Sequence, residues 1–275
     1  MKTPIQHISL IGCLTVLTAA VSLLGCGASL PSENPDEDWR YDGAAGPAHW
    51  GRLHPQFHSC LSGEGQSPIS IDRALPQALP QIRFRYAASK AKIKYDGRLV
   101  RLEVPDGGEV VVARRHFALR EVLLHSPSEH RLRGQSYPLE VQLVHEGPER
   151  TLFVISVFVD HGAERPELDW LWSNLPDAER PQRETTSAVN FDSLLPNERR
   201  GYRYAGSLTT PPCDEPVSWL IVEQPIFVSP DRIDRFTERY PPSQRPLQPA
   251  QNRPVLTDVA PRASLTPSPR RGRAL

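Results

Sequence analysis

The segment Leu152-Phe-Val-Ile-Ser-Val-Phe-Val159 is almost unbroken in its apolar character and rich in β-branched and aromatic residues. A run of this length is too short to span a bilayer as a helix, and its composition suits a strand covered on both faces. The chain must therefore provide a layer on each side of it. Ser218-Trp-Leu-Ile-Val-Glu223 is a second run of the same kind. Elsewhere Val100, Leu102 and Val104 alternate with Arg101 and Glu103, the pattern of a half-buried strand. Asp106-Gly-Gly108 reads as a turn carrying that strand into Glu109-Val-Val-Val-Ala113 as a hairpin. Helical signals are few: a short segment over Pro166–Asn174, and a second over Pro230–Tyr240 with Ser229 as N-cap and proline in the first helical position. The 29 prolines favour loops and edge segments, because proline neither donates to a sheet ladder nor sits inside a helix. The expected class is mainly β with short surface helices.

The two ends do not read as part of this core. Lys2 precedes an apolar stretch from Ile8 to Leu24 that closes in Leu23-Leu-Gly-Cys26. That pattern resembles a bacterial lipoprotein signal, with cleavage before Cys26 and a lipid on its thiol. A plain cleaved signal or a single membrane anchor are the other readings. Residues 1–25 are accordingly set apart as signal peptide, and residues 26–38, polar and proline-containing, as a flexible tether. Residues 258–275 carry Arg262, Arg270, Arg271 and Arg273 among Pro, Ser and Ala, too few apolar groups to offset the entropy of ordering. They read as a disordered basic tail, either simply solvated or an arm for anionic lipid, wall polymer or a partner. A single domain remains at 39–257. With Cys13 in the signal and Cys26 lipidated, Cys60 and Cys213 are left as an even pair in an exported chain, which argues for a disulfide over two unpaired buried thiols. The formal net charge of zero gives no electrostatic footprint for nucleic acid.

Several short motifs occur in order along the domain: Trp39-Arg-Tyr-Asp-Gly43, Gly46-Pro-Ala-His-Trp50-Gly51, Gly65-Gln-Ser-Pro-Ile-Ser-Ile-Asp72, Ser126-Pro-Ser-Glu-His130, Gly206-Ser-Leu-Thr-Thr-Pro-Pro212 and Arg245-Pro-Leu-Gln-Pro249. Taken together they resemble the α-class carbonic anhydrase family in its bacterial, exported form. The resemblance implies a central, twisted, mostly antiparallel sheet of about ten strands with short helices at its surface. It also implies the Cys60–Cys213 pairing, and a zinc site that converts carbon dioxide and water to bicarbonate.

The zinc positions are where the chain departs from the family. In a strand, residues i and i+2 share a face, so positions 123 and 125 in Leu119–His130 project together, and position 142 joins them from a neighbouring strand. The family has histidine in all three slots; here they hold Leu123, His125 and Gln142. Catalytic zinc takes three protein ligands and an open site for water. Leucine has no donor atom, and an amide oxygen is a poor ligand for zinc. Without the metal, water keeps a pKa of roughly 15.7 where the bound form has about 7, and the hydroxide nucleophile is lost.

The resemblance assigns Thr209 and Glu129 to the proton relay beside the metal-bound hydroxide, and Val144, Val154, Leu208, Thr210, Val217 and Trp219 to the pocket wall. Glu140 stands where the family orients its third histidine, Glu121 where an amide lies beside the first, and Asp96-Gly97-Arg98 where a proton-shuttle histidine belongs. Arginine cannot shuttle protons near neutral pH. His130 and His145 resemble buried structural histidines, and His116 reads as exposed. The expectation is a domain that lacks a competent metal site and any cofactor, and serves as a lipid-anchored binding or structural module. Its partner would be an unidentified protein, polymer or small anion, on the periplasmic or surface side of a bacterial membrane. The alternative is a zinc-dependent carbonic anhydrase with a rearranged ligand set that recruits His116 or Glu121. A third option, ester hydrolysis or anion binding in the same pocket, has no Ser-His-Asp pattern behind it.

Overall fold

The computed structural model describes residues 39–258. The signal peptide, tether and basic tail of the sequence reading lie outside the described residues, apart from Asp258. That residue closes the last strand, paired with Gln77.

Thirteen strands form one sheet. In chain order they are β1 (Leu75–Gln77), β2 (Ile82–Tyr86), β3 (Lys92–Tyr95), β4 (Val100–Glu103), β5 (Gly108–Val112), β6 (Arg115–His125), β7 (Leu139–Glu146), β8 (Leu152–His161), β9 (Gln182–Glu184), β10 (Gly201–Gly206), β11 (Val217–Val222), β12 (Ile226–Val228) and β13 (Leu256–Asp258). The main path runs β9-β3-β4-β6-β7-β8-β11-β10-β13-β1, with β12 beside β8, and β5 between β6 and β2. Pairing is antiparallel except at β8–β11, β8–β12 and β13–β1, so the sheet is mixed but mostly antiparallel. Among the described residues four short α-helices flank the sheet: α1 (Trp50–Leu53), α2 (Ser59–Ser62), α3 (Asp169–Ser173) and α4 (Pro230–Arg239).

The apolar run at 152–159 is β8, near the middle of the sheet, and Phe153 to Val159 are all buried. Its alternate residues serve two different cores. Phe153, Ile155, Val157 and Val159 join Val122, Leu124, Val141 and Leu143 on one face. Val154 and Phe158 join Leu123, Val144 and Trp219 on the other. The Val100–Glu103 alternation is realised as β4, with Val100 and Leu102 inward.

The hairpin expected at Asp106-Gly-Gly108 does not form. Both β4 and β5 pair instead with the 11-residue β6, β4 with its second half and β5 with its first. The tight turn is the next one, at Ala113-Arg114, where both residues have positive φ (49° and 64°). Two-residue hairpin loops demand that conformation, but it is usually signalled by Gly or Asn, so the sequence concealed it. The helix over Pro230–Arg239 begins as expected with proline in its first turn, but the Ser229 hydroxyl does not cap it; it donates to Glu164 Oε1 at 2.7 Å.

Cys60 and Cys213 are joined by a disulfide across a sequence separation of 153 residues. It ties the α2 region to the turn before β11 and marks an exported domain. No helix among the described residues is long and apolar enough to cross a membrane. In the chain-entropy account a loop of that size stabilises the fold by about 5 kcal/mol. The Cys60→Ser/Cys213→Ser variant should lose stability on that order in urea unfolding, and adding reductant to the parent protein should reproduce the loss.

Candidate functional site

Three cross-strand rows on one face of the sheet build the site. The first is His125–Glu140–Phe158, the second Leu123–Gln142–Ser156–Ile221, and the third Glu121–Val144–Val154–Trp219–Tyr204. The register places Leu123 directly opposite Gln142, with His125 one pleat along the same face. The three slots singled out in the sequence therefore do come together. Leu123, His125 and Gln142 are all buried, His125 completely.

Gln142 is held by two carboxylates. Its Nε2 donates to Glu129 Oε2 at 2.8 Å and to Glu140 Oε1 at 3.0 Å. A carboxylate only accepts, so the nitrogen end of the amide, and not its oxygen, faces both acids. The other oxygen of Glu129 accepts from the Arg245 backbone at 2.9 Å. Glu140 also accepts from Ser156 Oγ at 2.7 Å, the His130 backbone at 2.8 Å and His130 Nδ1 at 2.8 Å. Burial alone drives the Glu140 carboxyl upward. The charge of His130, its ring and backbone hydrogen bonds, and the nearby His125 outweigh that and hold it at about 2. From His130 the network continues through Nε2 to the Tyr204 hydroxyl at 2.7 Å, and from there to Ser67 Oγ at 2.7 Å.

His125 is fixed from behind. Its Nδ1 lies 2.7 Å from the Ser243 carbonyl, which can only accept, so Nδ1 carries the hydrogen. Nε2 is buried, without a hydrogen-bond partner, and 3.6 Å from Glu129 Oε2. The three slots thus present a hydrocarbon side chain, an amide N–H pair turned to carboxylates, and one imidazole nitrogen. Tetrahedral zinc needs three lone pairs and a water position, so these residues do not fit the ion. Among the described residues no group of three or more His, Cys, Asp or Glu side chains could hold a metal.

The surroundings differ from the expectation in two ways. Thr209 is buried beside the site, but among the described residues no hydrogen bond joins it to Glu129, whose oxygens are satisfied by Gln142 and Arg245. The open cleft, of about 560 Å³, is also shallower than the expected pocket. Leu123, Leu208 and Thr210 line it, whereas His125, Gln142, Val144 and Trp219 are sealed beneath. Leu123 acts as the lid between the cleft and the polar layer.

Charged pairs ring that cleft. Arg101 is bonded to Glu121, and Lys94 to Glu103. Arg98 lies 3.3 Å from Asp96 and stacks 4.2 Å over the Trp39 ring. Asp96 Oδ1 also accepts from the backbones of Arg98 and Leu99, a turn that needs Gly97 at φ +84°. Arg98 thus stands at the cleft rim, in the slot where the family carries its shuttle histidine. Neither residue named for a rearranged metal site is free to move in. Glu121 is locked to Arg101, and His116 is exposed on β6 with its Nδ1 2.9 Å from Glu109. His130 and His145 are both satisfied core residues. His145 Nδ1 donates to the Phe153 carbonyl at 3.1 Å and Nε2 accepts from Tyr86 at 2.9 Å.

Several residues of the site were not singled out in the sequence. Ser243 orients His125, Ser156 supports Glu140, Arg101 neutralises Glu121, and the Tyr41 hydroxyl is buried near Glu129 without a hydrogen bond. Arg101 could have been found by placing β4 against β6. Ser243 lies in a loop with no local signal.

The family model described as "Eukaryotic-type carbonic anhydrase" matches residues 45–259. The chain is 31% identical over 238 residues to a carbonic anhydrase of Pectobacterium atrosepticum, covering 86% of this chain and 97% of the relative. Its fold matches the α-carbonic anhydrase of Thermovibrio ammonificans, solved with the inhibitor sulfanilamide, at TM-score 0.75 and 35% identity, over 79% of this chain and 98% of that one. It also matches a dioscorin complexed with ascorbate at TM-score 0.73 and 30% identity, over 80% of this chain and 98% of that one.

Two predictions follow the hydrogen bonding. Gln142→Leu leaves Glu129 and Glu140 each short of a donor and should cost about 2–4 kcal/mol in chemical denaturation; an unchanged midpoint would show that the amide bridge is not formed. His145 should make stability depend on pH. Burial, opposed by backbone hydrogen bonds, lowers it from 6.5 to about 4, so in acid the unfolded chain takes up a proton that the folded chain refuses. Its contribution is complete above pH 6.5 and is lost as pH falls toward 4, on the order of a few kcal/mol. His145→Gln should flatten that part of a stability-against-pH series.

Proposed function

This chain belongs to the eukaryotic-type carbonic anhydrase family, and we propose that within it the chain is an exported, lipid-anchored binding module that does not hydrate carbon dioxide. The observation that carries the proposal is the Gln142 amide, shared between Glu129 and Glu140. In the position of a metal ligand it offers hydrogens where lone pairs are needed. Leu123, opposite, fills the remaining volume with hydrocarbon and is only 4% exposed. A single imidazole nitrogen, His125 Nε2, cannot hold zinc alone or make water acidic at neutral pH. The rearranged-ligand alternative requires Glu121 to break its bond to Arg101, or His116 to leave an exposed position bonded to Glu109. Both requirements count against it.

The export half of the reading is supported by the Cys60–Cys213 disulfide. The anchoring half rests on Leu23-Leu-Gly-Cys26. A lipid on Cys26 would hold the domain at a membrane without a spanning helix, with Pro-containing residues 26–38 as spacer.

Two measurements test the proposal. Protein purified from zinc-supplemented culture should contain far less than one zinc per chain by elemental analysis and show no carbon dioxide hydration above buffer; stoichiometric, chelator-sensitive zinc would overturn the reading. The Leu123→His/Gln142→His variant should gain one zinc per chain, since both positions share a face with His125 and Glu140 is in place to orient a histidine at 142. A folded double variant that stays metal-free would show that the three positions do not form the family's site.

A further inference from the structure

Helix α4 carries Arg232, Arg235 and Arg239 along one stripe, at spacings of three and four residues that bring them onto a common face. Beside that stripe lies a cavity of about 250 Å³, walled by Trp172 and Ser173 of α3, Phe236 and the three arginines. It is separate from the cleft above Leu123 and shares none of its lining residues.

The charges around this cavity do not cancel. Arg232 is committed, at 2.6 Å from Asp169 and 3.1 Å from Glu164. Asp177 is likewise committed, to Arg180 and Arg183, and Arg183 reaches the Ser173 carbonyl in the cavity wall at 3.4 Å. Arg239 meets no carboxylate among the described residues; it reaches the Pro176 carbonyl at 3.4 Å and the neighbouring Tyr240 hydroxyl. Arg235 is exposed, and among the described residues no carboxylate pairs with it, although Asp231 and Glu238 lie within one turn on the same helix. Five arginines thus surround three committed acids, and the two guanidinium groups without a carboxylate partner among the described residues, Arg235 and Arg239, border the cavity. Like charges three and four residues apart on a helix repel. A planar guanidinium matches the two oxygens of an oxyanion, and two side by side can hold one anion with several charge-assisted hydrogen bonds.

We infer that the cavity between α3 and α4 is a binding site for a phosphate-class oxyanion, clasped by Arg235 and Arg239. Arg232, already neutralised by Asp169 and Glu164, sets the wall and leaves the ligand to its two neighbours. The site stands whether or not the domain holds zinc. The anion could come from free phosphate or from a phospholipid headgroup, and both present the same group to the arginines.

The test is titration calorimetry of the purified protein with inorganic phosphate at low ionic strength, with chloride at matched ionic strength as the control. Phosphate should bind saturably. Arg235→Ala/Arg239→Ala, both at exposed positions and so compatible with folding by circular dichroism, should weaken it by about tenfold or more. Arg200→Ala, exposed elsewhere on the domain, should leave it unchanged. A second arm compares vesicles of phosphatidylglycerol with vesicles of phosphatidylcholine. Preference for phosphatidylglycerol that is lost in the double variant assigns the anion to a lipid headgroup; saturable phosphate binding with no vesicle preference assigns it to a free oxyanion. No phosphate binding at millimolar concentration, or equal weakening by Arg200→Ala, overturns the inference.

Discussion

One amide shared between two buried carboxylates organises the centre of this domain. Glu129 and Glu140 are both almost wholly out of solvent, and a buried carboxylate is tolerated only when its oxygens are met by donors or a nearby cation. The Gln142 NH₂ group meets one oxygen of each. The remaining demand is divided by side: His130 and Ser156 serve Glu140, and the Arg245 backbone serves Glu129. Arg245 itself is held by the carbonyls of Ser67 and Cys60. Burial draws its guanidinium down to about 10, with Glu129, Glu215 and Tyr41 opposing, so it keeps its positive charge near Glu129 at neutral pH. Protein donors thus close around both carboxylates, while His125 Nε2 and the Tyr41 hydroxyl beside them have no hydrogen bond.

That closure gives the motifs of the sequence a physical meaning. Gln66 of the Gly65-Gln-Ser-Pro segment donates to the Cys213 carbonyl and is bonded to Glu215, while Ser67 exchanges hydrogen bonds with Ser207 and meets Tyr204. The Arg245-Pro-Leu-Gln segment reaches the same region from the other end of the chain. Segments far apart in sequence converge on one polar layer, and the disulfide reinforces the same junction at Cys60 and Cys213.

Much of this was legible in the sequence, and the failures have distinct causes. Strand periodicity located β4, β8 and β11 because their burial depends on side-chain alternation or its absence, which is a local property. The partner of β5 was misjudged because pairing is decided by the long β6, and because Ala113 and Arg114 adopt positive φ without a glycine to announce it. Convergence of positions 123, 125 and 142 followed from strand geometry and the resemblance. The depth of the pocket did not, since it depends on Leu123 covering the layer beneath and on charges such as Arg101 and Lys94 that occupy the rim. The Thr209–Glu129 pair was read from residue identity alone, and identity does not reveal which donors meet the Glu129 oxygens in the fold.

The two departures from the zinc triad are best understood as one coupled change. Leu123 and Gln142 are direct cross-strand partners, so each forms much of the other's surroundings. A histidine at 142 facing Leu123 would place a polar ring against hydrocarbon and leave one of the two carboxylates without its amide donor. A histidine at 123 facing Gln142 would bury a second imidazole nitrogen with no metal and no partner, beside His125 Nε2, which already has no hydrogen bond. Either intermediate is worse satisfied than the full triad with its ion or the present pair without one. In the structure the hydrogen bonds from Gln142 to Glu129 and Glu140 hold this centre together.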